Sequence, residues 1–200
     1  DDIGSAIDAL MNTCPTVKRI ALWGLCDGAS AALLYLHQRR DARVVGLALL
    51  NPWVRSAASL ARTQVKHYYR QRLMEREFWL KLASGKVAAS ALADLWRNLR
   101  TASRGNGAPA PQASFQQRMA QAWAAFPGEV LLMLSDDDYT AREFEEFSAA
   151  DSHWQHALAT RAPQRVTLAG ADHTCSTPAA QRSAERATSN LARRALAARP

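Results

Sequence analysis

Long apolar runs are missing from this chain. None approaches the roughly 18 residues that would read as a membrane-spanning helix. Collagen-like repeats, internal repeats and the composition of a disordered chain are missing as well. Only three cysteines occur among 200 residues, Cys14, Cys26 and Cys175. They are too few and too scattered for a disulfide scaffold. None stands in a CxxC pair, which argues against a zinc or thioredoxin-type site. The opening residues, Asp1-Asp2-Ile3-Gly4, have no basic stretch followed by an apolar core, so no secretory signal stands there. With the odd cysteine count, this points to a reducing, cytoplasmic setting. A peripheral place at the inner membrane remains open. The chain also lacks an initial Met, and the expectation is a processed or truncated sequence.

What is present is the balance of a globular protein: 48% hydrophobic and 22% charged residues. The net charge is +7, and it is unevenly spread. Residues 55–100 hold ten Lys/Arg against three acids, so the remainder is neutral. The basicity belongs to one segment. No DNA- or RNA-binding motif accompanies it, and nucleic acid is not the expected partner. Anionic lipid headgroups, a polyanionic glycan and a phosphorylated acyl carrier all fit such a face. A merely solvated helix face fits it equally well.

Residues 1–13 carry Ile3, Ala6, Ile7, Leu10 and Met11 at helical spacing. Arg19–Trp23 reads as a buried strand, Gly24–Gly28 as a tight turn and Ala29–Gln38 as a helix. Val44–Leu50 is a second apolar strand, stopped by Asn51-Pro52. Strand, helix and strand in that order make a βαβ unit with parallel strands. Residues 53–100 then turn helical, basic and aromatic, and 101–114 have loop composition. A helix is expected at 115–125, a strand at Glu129–Leu134, helices from Glu143 and over 153–160, a strand at Arg165–Leu168 and a helix over 178–198. The fold class is therefore α/β. A parallel sheet with flanking helices spans 1–52 and 128–200, and a helical cap is inserted at 53–127.

Between the first strand and its helix stands Gly24-Leu25-Cys26-Asp27-Gly28. This is the G-x-S-x-G nucleophile elbow with Cys in place of Ser. A nucleophile there sits on a strained turn, and the flanking glycines leave room for neighbouring backbone. A helix N-terminus beside the thiol favours thiolate, and the Asp27 N–H faces a developing oxyanion. A later strand end carries Asp136-Asp137-Asp138, and the next carries Gly170-Ala171-Asp172-His173. Nucleophile, acid and histidine thus follow one another in chain order, each after a strand. In this reading His173 takes the thiol proton and an aspartate holds the imidazole.

The whole pattern resembles the α/β-hydrolases. More narrowly, Gly24-Leu25-Cys26-Asp27, Leu49-Leu50-Asn51-Pro52-Trp53-Val54-Arg55, His67-Tyr68-Tyr69 and Gly170-Ala171-Asp172-His173-Thr174 resemble the exosortase A system-associated hydrolases, type 1. These are bacterial proteins linked to exopolysaccharide and PEP-CTERM sorting loci. The resemblance implies Asp138 as the acid, with Ser135 in the small position before it. The resemblance does not supply the substrate; the triad chemistry leads to an expected ester or thioester hydrolase that forms an acyl-enzyme on Cys26 and needs neither cofactor nor metal. An acyltransferase with the same triad and a non-catalytic binding protein of that system are the alternatives. The family has further strands before the elbow and takes its second oxyanion donor from them. Only about 20 residues precede the elbow here, so a catalytically incomplete, edge-exposing chain is expected.

Blander readings stand beside these. Cys26 is also what a small buried hydrophobe in a turn looks like, and His173 what a surface-loop histidine looks like. Cys14 and Cys175 read as bystanders, although Cys175 lies close enough to His173 to face the site. His37, His67, His153 and His156 read as structural or exposed. Asp136 and Asp137 are expected to be solvated or to cap the following helix, and Asp172 to shape its loop. Three adjacent acids suit Mg²⁺ as well, but no phosphate loop accompanies them. Trp53, Tyr68, Tyr69, Phe78, Trp79 and Trp96 either line an apolar pocket or pack the cap.

Overall fold

The computed structural model describes residues 2–55 and 113–197. The chain divides into two compact units, Asp1–Val54 with Ala113–Pro200, and Arg55–Gln112. The second unit lies outside the described residues but for Arg55. With it go most of the expected cap, nearly all of the basic 55–100 segment, His67 and the aromatics from Tyr68 to Trp96.

The first unit is built on four parallel strands in the order β1-β2-β3-β4. They are β1 (Ile20–Leu25), β2 (Val44–Leu50), β3 (Glu129–Ser135) and β4 (Gln164–Leu168). Between and around them run α1 (Asp2–Thr13), α2 (Asp27–Arg39), α3 (Phe115–Ala125), α4 (Tyr139–Ala150), α5 (Ser152–Thr160) and α6 (Pro178–Ala197). Parallel strands joined by crossovers place helices on both faces, so the central strands read as continuous apolar runs. β2 (VVGLALL) and β3 (EVLLMLS) have that character.

Side-chain alternation splits the core in two. Leu47, Leu49, Leu132 and Leu134 pack on one face with α2, α3 and Trp154 of α5. Ala48, Leu50, Leu131, Met133 and Leu168 pack on the other against the alanine-rich stripe of α6. That stripe, Ala180, Ala184, Ala187, Leu191 and Ala195, is small enough to bring the helix close to the sheet. Helix α3, counted with the insertion by the sequence boundary of 53–127, packs on α2 and α5, and its Trp123 is fully buried. Among the described residues β1 pairs on one side only, with β2.

Two differences from the sequence reading bear on the site. β1 runs on through Gly24 and Leu25, which pair with Leu49 and Leu50, and α2 opens already at Asp27. The turn between them narrows to Cys26. Similarly, α4 begins at Tyr139 rather than Glu143, because Asp138 caps it there.

The α2–β2 connection is held by a polar cluster. Arg43 donates to both oxygens of Asp41, at 2.8 and 2.7 Å, and Tyr35 Oη donates to Asp41 Oδ2. The Arg43 bonds hold the Asp41 carboxyl far below the usual carboxylate range, while burial raises the Tyr35 hydroxyl. A depressed carboxylate adds stability above the unfolded-state value near pH 4, and that stability is lost as pH falls. Asp41→Asn should therefore lower stability by about 1–3 kcal/mol at pH 7. In urea unfolding, its gap to the wild type should narrow steadily below about pH 4.

Candidate active site

Aligned parallel strands bring their C-terminal ends to one edge of the sheet. Leu25 pairs with Leu50, Leu50 with Met133, and Ser135 with Leu168. Cys26, Asn51, Asp138 and His173 all follow those ends.

Cys26 has φ 56° and ψ −116°, a conformation that non-glycine residues rarely adopt. Strain of this kind persists only where the surroundings impose it, and here they do. The Cys26 N–H donates to Leu50 O at 2.9 Å, and its carbonyl accepts from Ser30 N and Trp53 N. The elbow is thus pinned to the end of β2 and to the segment that follows it. Ser30 Oγ adds a bond of 2.6 Å to Trp53 O. Trp53 stacks on Phe115 at 5.8 Å, and Gln116 Nε2 donates to Val54 O.

The two elbow glycines are not equivalent. A Cβ on Gly24 would stand 2.5 Å from Ala29 N, so α2 crosses β1 too closely for any side chain there. A Cβ on Gly28 would meet nothing within 4 Å. The expectation that both glycines make room is corrected: only Gly24 does so. Asp27 is the first residue of α2, where backbone N–H groups have no intrahelical acceptor. Its carboxylate accepts from Gly28 N.

Asp138 and His173 meet directly. His173 Nδ1 lies 3.0 Å from Asp138 Oδ1, with the aspartate side chain 7% exposed and the imidazole 40%. The other carboxylate oxygen, Oδ2, accepts from Ala141 N and caps α4. Of the two alternatives for Asp136 and Asp137, solvated or capping, the first holds: both are exposed, and neither caps α4, since the cap must immediately precede the helix. Asp136 Oδ1 instead accepts from Ala171 N, and Asp137 N donates to Ala171 O. These bonds tie the β3 loop to the β4 loop. Asp172 shapes its own loop, as expected, accepting from Thr174 N, Ser176 N and Ser176 Oγ. The Ser176 hydroxyl leads in keeping its carboxyl low.

Two polar residues behind the site were not singled out as functional from the sequence. Asn51 is fully buried with φ 48°. Its Nδ2 donates to Ser135 Oγ at 3.0 Å and to His173 O at 3.3 Å, and its Oδ1 accepts from Ser135 N at 2.9 Å. Ser135 also bonds Cys175, whose thiol is nevertheless pushed up, chiefly by burial. Cys175 is 4% exposed and packs against α6 and β3. A cleft of about 400 Å³ opens beside it, bounded by Trp23, Leu50, Thr174 and one face of α6.

No family model matches the sequence, and neither does any curated protein. Among solved structures, the hypothetical protein PA1622 of Pseudomonas aeruginosa PAO1 is similar at 19% identity and TM-score 0.47, over 94% of this chain and 73% of that one. A carboxylesterase of the ammonia-oxidizing thaumarchaeon Nitrososphaera gargenis is similar at 12% identity and TM-score 0.45, over 96% and 70%. Carboxyl esterase 2 of the fungus Tuber melanosporum is similar at 13% identity and TM-score 0.47, over 94% and 60%.

The remaining titratable residues lie apart. His37 Nε2 bonds Gln121 Oε1, and His153 and His156 sit on α5. Cys14 is exposed beyond the end of α1. Among the described residues no three His, Cys, Asp or Glu side chains are grouped to hold a metal ion. No described helix is long and apolar enough to cross a membrane.

Proposed function

We propose that this chain carries the catalytic elements of an ester or thioester hydrolase, with Cys26 as nucleophile, His173 as general base and Asp138 as its orienting acid. The observation that supports this most is the His173–Asp138 contact of 3.0 Å, made at the same sheet edge as a strained Cys26 elbow. A buried carboxylate on Nδ1 fixes the imidazole so that Nε2 is left for the thiol. It also favours the imidazolium formed when the thiol gives up its proton.

The reaction follows from those roles. Cys26 Sγ loses its proton to His173 and attacks the substrate carbonyl carbon. The carbonyl oxygen takes the negative charge, which the Asp27 N–H stabilises. Collapse breaks the bond to the leaving alcohol or thiol, which takes the proton back from His173. A thioester on Cys26 remains. Water, deprotonated by His173, then attacks that thioester, and the carboxylate product leaves with the thiol restored. No cofactor enters.

The link to exosortase A systems rests on sequence motifs, of which those at 24–27, 49–55 and 170–174 lie among the described residues and His67-Tyr68-Tyr69 does not. The basic 55–100 segment is read as the contact to an anionic lipid, glycan or acyl carrier.

The test is intact mass of the full-length protein after brief exposure to a short-chain p-nitrophenyl ester. An acyl adduct is expected on the wild type. It should be absent from Cys26→Ala and slower by roughly a hundredfold or more in His173→Ala. An adduct that survives Cys26→Ala, or a Cys26 thiol no more reactive than a free cysteine, would overturn the reading.

A further inference from the structure

Asn51 occupies a place that strand termination alone does not require. It is fully buried, its backbone is left-handed, and its amide reaches two different loops. Left-handed backbone is readily adopted by Asn and Gly among the common residues. The amide then does what glycine cannot. Its oxygen takes the Ser135 N–H at the end of β3, and its nitrogen holds the carbonyl of His173 itself. The preceding residue, Leu50, accepts the Cys26 N–H. Two consecutive residues at the end of β2 therefore hold the backbones of both the thiol and the imidazole.

From this we infer that Asn51 is a positioning residue, which sets His173 against Asp138 and the elbow by fixing the His173 carbonyl. The inference rests on the reading of Cys26 and His173 as base-activated nucleophile and base. Its chemistry is specific. An aspartate at 51 keeps the size and still accepts from Ser135 N, but turns an oxygen toward the His173 carbonyl, where two acceptors repel. A glycine keeps the backbone conformation and removes the amide altogether. Asn51 touches no substrate in this scheme and acts only through the loop it holds.

The experiment follows alkylation of Cys26 by iodoacetamide between pH 5 and 9. Peptide mapping separates Cys26 from the exposed Cys14. Wild type, Asn51→Asp, Asn51→Gly, His173→Ala and the double variant Asn51→Asp/His173→Ala are compared, each with its thermal melt. Both Asn51 variants should alkylate about tenfold more slowly at pH 7, with profiles displaced about one unit toward that of an ordinary thiol. The double variant should be no slower than His173→Ala, because both changes act through one residue.

Wild-type rates in folded Asn51→Asp and Asn51→Gly, with His173→Ala slow, would overturn this inference and leave the triad standing. Additive losses in the double variant would overturn it too, since Asn51 would then act on the fold at large. Failure of both Asn51 variants to fold would make the residue a structural requirement and likewise overturn it. An unchanged rate in His173→Ala would instead remove the proposed function, and the inference with it.

Discussion

Asp138→Asn should slow acyl-adduct formation on Cys26 by roughly a hundredfold to ten-thousandfold while leaving the fold intact. The two carboxylate oxygens have separate work. Oδ2 accepts from Ala141 N at 2.9 Å and caps α4, and Oδ1 faces His173 Nδ1. Asparagine is as good an N-cap as aspartate, so α4 keeps its first turn. It carries no charge, so the imidazolium loses its partner, and its NH₂ can drive the ring into the wrong tautomer. In the proposed triad Cys26 then loses its correctly oriented base, and its alkylation at neutral pH should slow.

Asp138→Ala separates the roles from the other side. It should show the same kinetic loss and, in addition, about 1 kcal/mol less stability from the missing cap. Wild-type adduct rates in Asp138→Asn would reduce Asp138 to a helix cap and remove the acid from the triad.

The double use of Asp138 shows why part of the site was legible in the sequence and part was not. The order Cys26, Asp138, His173 could be read because each follows an apolar run, and β2 and β3 are unmistakable as buried strands. The sequence places the start of α4 late because Tyr139 and Thr140 give no apolar periodicity; the cap alone marks it. Without that boundary, three consecutive aspartates compete for two roles. Their division appears only when Asp136 is seen bonded to Ala171 N in another loop.

Asn51 was hidden for a related reason. An Asn before Pro reads as the end of a strand, which it is. Its bonds to Ser135 and His173 span 84 and 122 residues of sequence, and no local pattern encodes them. The left-handed φ of Asn51 and Cys26 was equally invisible as a value, although the elbow motif implied strain at Cys26. Spacing presents the glycines of that motif as a symmetric pair, because it says nothing about which Cα another chain segment crosses.

That asymmetry has a large measurable consequence. Gly24→Ala should cost about 3 kcal/mol or more, whereas Gly28→Ala should be neutral or stabilising by up to about 1 kcal/mol. At Gly24 the added methyl would lie 2.5 Å from Ala29 N and Gly28 C, and 2.6 Å from Gly28 O. All three are backbone atoms of the first turn of α2, so no flexible side chain can yield. Ala29 is itself fully buried, which prevents the helix from simply lifting. Relief requires α2 to move off β1, and the start of α2 carries the Asp27 N–H and the turn that strains Cys26. Gly24→Ala should therefore lose Cys26 reactivity together with stability. At Gly28 the methyl enters open space, and a helical Gly→Ala change also reduces the entropy of the unfolded chain. Paired urea melts with Cys26 alkylation rates at pH 7 check both variants. Equal stability of Gly24→Ala and Gly28→Ala would mean that α2 does not cross β1 at Gly24.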